Sequence, residues 1–230
     1  MSQEPVTVPS LTLYSGPLSL FSAKVRIALA EKGLAYERVD VPFDRRRGYQ
    51  PKHPDVVAHN PKGQVPVLQT GDLWLYDSTL ILEYLEDRFP DPPLYPREPE
   101  AKARCRQLEA AADEILFPPV LVLIREVFYR AGATSGDDEA VASARQAVAA
   151  ELQRLDHAAT TGPYLCGDFS VADVAFYATV LFATYLGSPP APELEHVHAW
   201  LERVGTRPSV QADVAYVTRS MQSLTATAAD

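Results

Sequence analysis

The chain has 230 residues, 47% hydrophobic and 22% charged, with a formal net charge of -9 at pH 7. That balance implies a packed core rather than disorder, and its acidity argues against nucleic acid, whose phosphates need a basic face. No apolar run reaches the roughly 18 residues of a membrane span, and Met1 to Leu13 lacks the basic-then-apolar pattern of a signal peptide. A cytoplasmic protein with no membrane partner is therefore expected. Its two cysteines, Cys105 and Cys166, stand far apart with no CxxC. They suggest neither a disulfide framework nor a metal knuckle, and each reads as a small buried apolar residue.

In chain order, Leu11 to Tyr14 is short and apolar and is stopped by Gly16-Pro17, the pattern of a buried strand. From Ser22 to Lys32, apolar Val25, Ala28 and Leu29 recur at helical spacing, with Gly33 as the stop. Tyr36 to Val41 reads as a second strand, parallel to the first through a right-handed crossover. After the basic run Arg45-Arg46-Arg47, taken as a solvated loop, a short helix is expected near Pro54 to Ala58. Val65 to Gln69 and Leu73 to Tyr76 flank Thr70-Gly71-Asp72 as a hairpin. Asp77-Ser78 then heads an amphipathic helix carrying Leu80, Ile81, Tyr84, Leu85 and Phe89. The order βαβ, loop, ββα implies a mixed four-stranded sheet.

Phe89 to Pro99 carries five prolines and reads as a linker. Beyond it only helical periods are found. The helix stepping through Cys105, Leu108, Ala112 and Ile115 should kink or break at Pro118-Pro119. A long stripe runs from Val141 to Ala159, and Ser170-Val171-Ala172-Asp173 forms a capping box before the next helix. Two shorter helices, Pro192 to Val204 and Pro208 to Met221, should close the chain. The expected division is residues 1–89, a linker at 90–98, and an all-helical part at 99–230.

Three local features could carry chemistry. Ser19, in Ser19-Leu20-Phe21-Ser22, places a hydroxyl beside the free N–H groups of a helix start, a position that favours anions and can stabilise a thiolate. It could equally be an ordinary N-cap. Gly63-Gln64-Val65-Pro66-Val67 puts proline at a strand start, where a cis bond would turn the Val65 backbone towards an extended peptide. Asp77-Ser78 could hold the ammonium and carboxylate of an amino acid, or simply cap its helix.

The order of these features, with Asn60 to Leu68, Leu75 to Ile81, Phe169 to Asp173 and Trp200 to Pro208, resembles the cytosolic glutathione transferase family over nearly the whole chain. That resemblance implies a thioredoxin-like N-terminal domain, an all-helical C-terminal domain and a homodimer. It implies glutathione as co-substrate, without a metal, conjugated to a small apolar electrophile. In the serine-type phi, theta and zeta-like classes, Ser19 would stabilise the glutathione thiolate. Val65, after cis Pro66, would pair with the cysteinyl backbone; Asp77 and Ser78, assisted by Gln64, would hold the γ-glutamyl end. Lys52 or His53 would meet the glycyl carboxylate. Leu18 and Phe21 are expected on one wall of the electrophile site, with Phe117, Leu121 and Tyr129 on another.

Two alternatives accompany the transferase: a glutathione-dependent isomerase, and a non-catalytic binding or docking module of the same fold, as in starvation-response proteins. Ser19-Leu20-Phe21 departs from the Ser-Ser-Cys of the zeta class, which argues against the isomerase. Tyr14 is a minor alternative to Ser19 and is expected to be structural.

Overall fold

The computed structural model describes residues 10–44, 47–50, 52–129 and 138–226. Its N-terminal part runs β1 (Leu11–Ser15), α1 (Leu20–Glu31), β2 (Glu37–Asp40), α2 (Pro54–His59), β3 (Val67–Thr70), β4 (Leu73–Tyr76) and α3 (Ser78–Arg88). The sheet order is β2-β1-β3-β4, with β1 parallel to β2 and β3 antiparallel to both its neighbours. One face of this thioredoxin-like sheet packs on α1 and α3 through Leu13, Leu68, Ile81 and Leu85. The opposite face forms a smaller cluster of Tyr14, Val41, Val56 and Val67 under α2.

The helical part comprises α4 (Pro99–Ala111), α5 (Phe117–Ile124), α6 (Asp138–Ala158), α7 (Val171–Tyr185), α8 (Glu195–Gly205) and α9 (Pro208–Ala226). Between Arg88 and Pro99 the chain is neither helix nor strand. No helix among the described residues is long and apolar enough to cross a membrane.

One local expectation is corrected: β3 begins at Val67 rather than Val65, because Pro66 has no N–H for the ladder. The kink or break expected at Pro118-Pro119 takes the form of a change of helix type just before them. A π-helical turn, Ala112–Leu116, widens the ladder so that the Phe117 N–H reaches the Ala112 carbonyl, and the prolines become the first turn of α5. A second π turn, Arg125–Tyr129, follows α5.

The two parts share one core. α1 lies between the sheet and the helices, and its own charges reach across. Buried Lys24 pairs with Glu109 (3.0 Å) and Asp113 (2.6 Å), while Arg26 pairs with Asp213 (2.5 Å). Glu31 accepts from Arg207 at 2.6 Å and from the Ser209 hydroxyl. Removing one member of such a pair strands a buried charge, so these contacts fix how the halves sit together. Cys105 and Cys166 are both free thiols; Cys105 is buried and Cys166 partly exposed. Among the described residues no His/Cys/Asp/Glu group could hold a metal ion.

Candidate functional site

Two adjoining cavities open between the sheet and α4–α5, sharing Phe21, Gln64 and Val65 in their linings. The first, about 360 Å³, is lined on one side by Val65, Pro66, Asp77, Ser78 and Thr79. Arg106, Asp113 and Glu114 of the helical part face them. The second, about 460 Å³, contains Ser19, Tyr49, Lys52 and His53, with Phe117, Leu121 and Arg125 opposite.

Ser19 is nearly buried and caps α1, its Oγ accepting from the Ser22 N–H at 3.1 Å. The Ser22 hydroxyl in turn accepts from the Gly16 N–H at 3.1 Å, fixing the turn that carries Ser19. Among the described residues nothing accepts the Ser19 hydroxyl proton. Capping uses the oxygen's lone pair, so the two readings of this serine are compatible: the O–H remains to donate into the cavity.

A rigid turn positions Val65. Buried Asn60 donates to the Gln64 carbonyl at 2.7 Å and accepts from the Lys62 N–H at 2.9 Å, while the Gly63 N–H returns to the Asn60 carbonyl at 2.7 Å. Gly63 sits at φ +57°, where a side chain would also meet Lys52. The Val65–Pro66 bond is cis.

Asp77 caps α3, accepting from the Thr79 N–H at 3.2 Å. Its φ of 77° with ψ of 122° is unfavourable for an L-residue, costing about 1–3 kcal/mol. Such strain recurs where a side chain must be aimed, and here the carboxylate lines the cavity. Its other oxygen pairs with Lys62 at 3.1 Å, and both partners are substantially exposed. Ser78 is buried beside it. Behind this wall, Glu109 accepts from Thr79 at 2.9 Å and from Lys24. Asp113 accepts from Lys24 through one oxygen; its other oxygen is buried and unpartnered, and burial raises its pKa against the opposing pull of Lys24.

Lys52 and His53 both line the second cavity, but His53 is also committed as the cap of α2, its Nδ1 accepting from the Asp55 N–H at 3.3 Å. Phe21 and Phe117 meet edge to face at 4.8 Å. Leu18 lines neither cavity: it belongs to the core, because the turn that sets Ser19 in the cavity wall directs its predecessor inward, and its N–H donates to the Tyr49 hydroxyl at 3.0 Å. The Tyr129 side chain, like Arg45 and Arg46, lies outside the described residues.

Tyr14 is on the far face of the sheet, donating to Asp55 at 2.9 Å. Burial, reinforced by that carboxylate, pushes its pKa up to about 12. A folded-state value above the ordinary 10.0 means that this phenol's contribution to stability is present below pH 10 and lost as pH rises towards 12. Tyr14→Phe should remove one phenol from the late limb of an ultraviolet titration and leave glutathione conjugation within about twofold. A tenfold or greater loss (about 1.4 kcal/mol) would make Tyr14 a catalytic group.

In sequence, Asn60 and Lys62 carry part of the family resemblance but no site role, and Tyr49, Arg106, Asp113 and Arg125 have none either. Two of them had a local signal. Asn-Pro-Lys-Gly is a turn in which the Asn side chain bonds to backbone two residues on. Arg125 extends the i, i+4, i+8 row of Phe117 and Leu121. The others reach the site only through tertiary packing.

With this geometry established, comparison with known proteins gives a consistent result. The Glutathione S-transferase N-terminal domain family matches residues 18–88 and the Glutathione S-transferase C-terminal domain family matches residues 119–208. A stringent starvation protein A homolog from Coxiella burnetii is 46% identical over 100 residues, a span of 43% of this chain and 44% of that one. Glutathione S-transferase 3 of Zea mays is 32% identical over 90% of this chain and 94% of its own length. A glutathione S-transferase from Rhodospirillum rubrum F11 superposes with a TM-score of 0.78 at 30% identity, covering 88% of this chain and 91% of that one. The chain belongs to the glutathione S-transferase family.

Proposed function

We propose that the chain is a serine-type glutathione transferase. Residues 1–89 form its glutathione-binding unit, joined through 90–98 to a helical unit, 99–230, that completes the electrophile site. The observation that carries the reading is Ser19: a helix-capping serine whose O–H faces a cavity continuous, through Val65, with the one containing Asp77 and Ser78. Glutathione laid along this path pairs its cysteinyl backbone with Val65 and presents its γ-glutamyl end to Ser78 and Asp77. Its glycyl end points towards Lys52 and His53. The thiol then lies near Ser19, where the hydroxyl and the N-terminus of α1 favour the anion.

The reaction is nucleophilic addition or substitution by the glutathione sulfur on an electrophilic carbon in the second cavity, over the apolar wall of Phe21, Phe117 and Leu121. Positioning two reactants in adjoining cavities supplies much of the acceleration. The Lys62–Asp77 ion pair must loosen for Asp77 to accept the glutathione ammonium. Asp77→Asn should therefore weaken glutathione binding about tenfold by calorimetry, since a charge-assisted hydrogen bond is lost. Unchanged affinity would remove Asp77 from the site.

A second reading, a binding module without turnover, is favoured by the similarity to the stringent starvation protein A homolog. Calorimetry and turnover separate the two: glutathione binding with conjugation supports the transferase, glutathione binding without turnover supports a carrier, and no binding at millimolar concentrations supports a docking module.

A further inference from the structure

The second cavity has an unusual charge balance for a chain of net charge -9. Its lining includes Arg47, Lys52 and Arg125 together with His53, and no carboxylate among the described residues. Two acids lie close by without lining it: Asp44 accepts from the Arg47 backbone N–H at 2.7 Å, and Asp55 accepts from Tyr14 at 2.9 Å and lies 3.8 Å from His53. Among the described residues, neither guanidinium forms an ion pair. Arg47 lies on the loop before α2, and Arg125 lies across the cavity, one helical turn beyond Leu121 in the row that begins at Phe117.

We propose that the electrophile taken by this cavity carries a carboxylate on an apolar body, with Arg125 and Arg47 as its anion-binding residues. This rests on the reading that Ser19 delivers glutathione thiolate into the cavity, and it adds the substrate class. Glutathione brings a single carboxylate, the glycyl one, to this end, and Lys52 and His53 are placed to meet it. The two arginines are therefore surplus to glutathione. The apolar body rests on Phe117 and Leu121, and a carboxylate extending along the same helical row meets Arg125, whose planar fork suits two-point pairing. A cavity with one sign of charge and low-dielectric walls also focuses the field that draws an anion in.

The test compares 1-chloro-2,4-dinitrobenzene with 4-chloro-3,5-dinitrobenzoate. In both, the glutathione sulfur bonds to the chlorine-bearing carbon and chloride leaves with the electron pair of the broken bond. After division by the uncatalysed rates, kcat/KM should favour the benzoate about tenfold. That ratio should fall about tenfold in Arg125→Gln and in Arg47→Gln, and shrink as salt is raised. It should be unchanged in Arg104→Gln, an exposed charge on α4 outside both cavities. A ratio near one overturns the proposal, as does an effect confined to the KM for glutathione, which would assign the arginines to the glycyl carboxylate. If neither compound is conjugated, the transferase reading fails, and titration with 4-nitrobenzoate and nitrobenzene decides the anion site on its own. Tighter binding of the benzoate, weakened by Arg125→Gln, supports it; equal binding of the two overturns it.

Discussion

Ser19→Ala is expected to lower kcat/KM for glutathione conjugation by about a hundredfold, the usual effect of deleting one preorganised donor to a developing or stored anion. The mutant also loses the cap on α1, because its methyl group cannot accept from the Ser22 N–H, 3.1 Å from Oγ in the wild type. That structural loss is about 0.5–2 kcal/mol and appears in thermal unfolding, not in catalysis at a temperature where the mutant is folded. Ser19→Thr separates the two roles, since threonine keeps both a capping oxygen and a donor hydroxyl. The threonine variant should retain most of the stability and more of the activity than alanine. Full activity in Ser19→Ala would show that the helix terminus alone supplies the stabilisation.

Asp173→Ala should have the largest effect on the fold. This carboxylate is fully buried and accepts four hydrogen bonds: from the Leu165 N–H (3.0 Å), the Ser170 N–H and hydroxyl (2.9 Å each) and the Trp200 indole (2.8 Å). It thereby joins the loop before α7, the cap of α7 and the buried tryptophan of α8. Burial still raises its pKa above the ordinary carboxylate value, so these donors offset a large desolvation cost rather than adding surplus stability. Truncation leaves the donors facing a methyl-sized void, and the expected loss is about 3–5 kcal/mol. For a chain of this size that lowers the unfolding midpoint by about 10 °C in a thermal scan. A shift below about 2 °C would mean that water replaces the carboxylate in the network.

The parts of this protein that were legible in sequence are those whose physics is local. Gly33, at φ +63°, ends α1, and the two-residue turn Gly71-Asp72 joins paired Thr70 and Leu73. Ser170 and Asp173 make their reciprocal cap across three residues. Ser19 and Asp77 were legible for the same reason, since a short polar side chain before a helical period is a local signal of an N-terminus. What escaped is long-range. Nothing around Lys24 distinguishes it from a solvated helix lysine; only the arrival of Glu109 and Asp113 from α4 and the following π turn permits its burial. Pro118-Pro119 reads as a kink or break because a proline's missing N–H is visible in sequence, whereas the π turn that accommodates it depends on packing around Ala112 and Leu116. Arg125 and Tyr49 likewise become site residues only when the loop before α2 meets α5.

The most direct test of the central claim is the ultraviolet absorbance of the thiolate of bound glutathione, followed across pH in wild type and Ser19→Ala. Thiolate should form on the wild-type protein at least one pH unit below the value of about 8.5 for an ordinary cysteine thiol, and return towards that value in Ser19→Ala. Titration of bound glutathione at the ordinary value, or an equal depression in both proteins, would contradict the role assigned to Ser19.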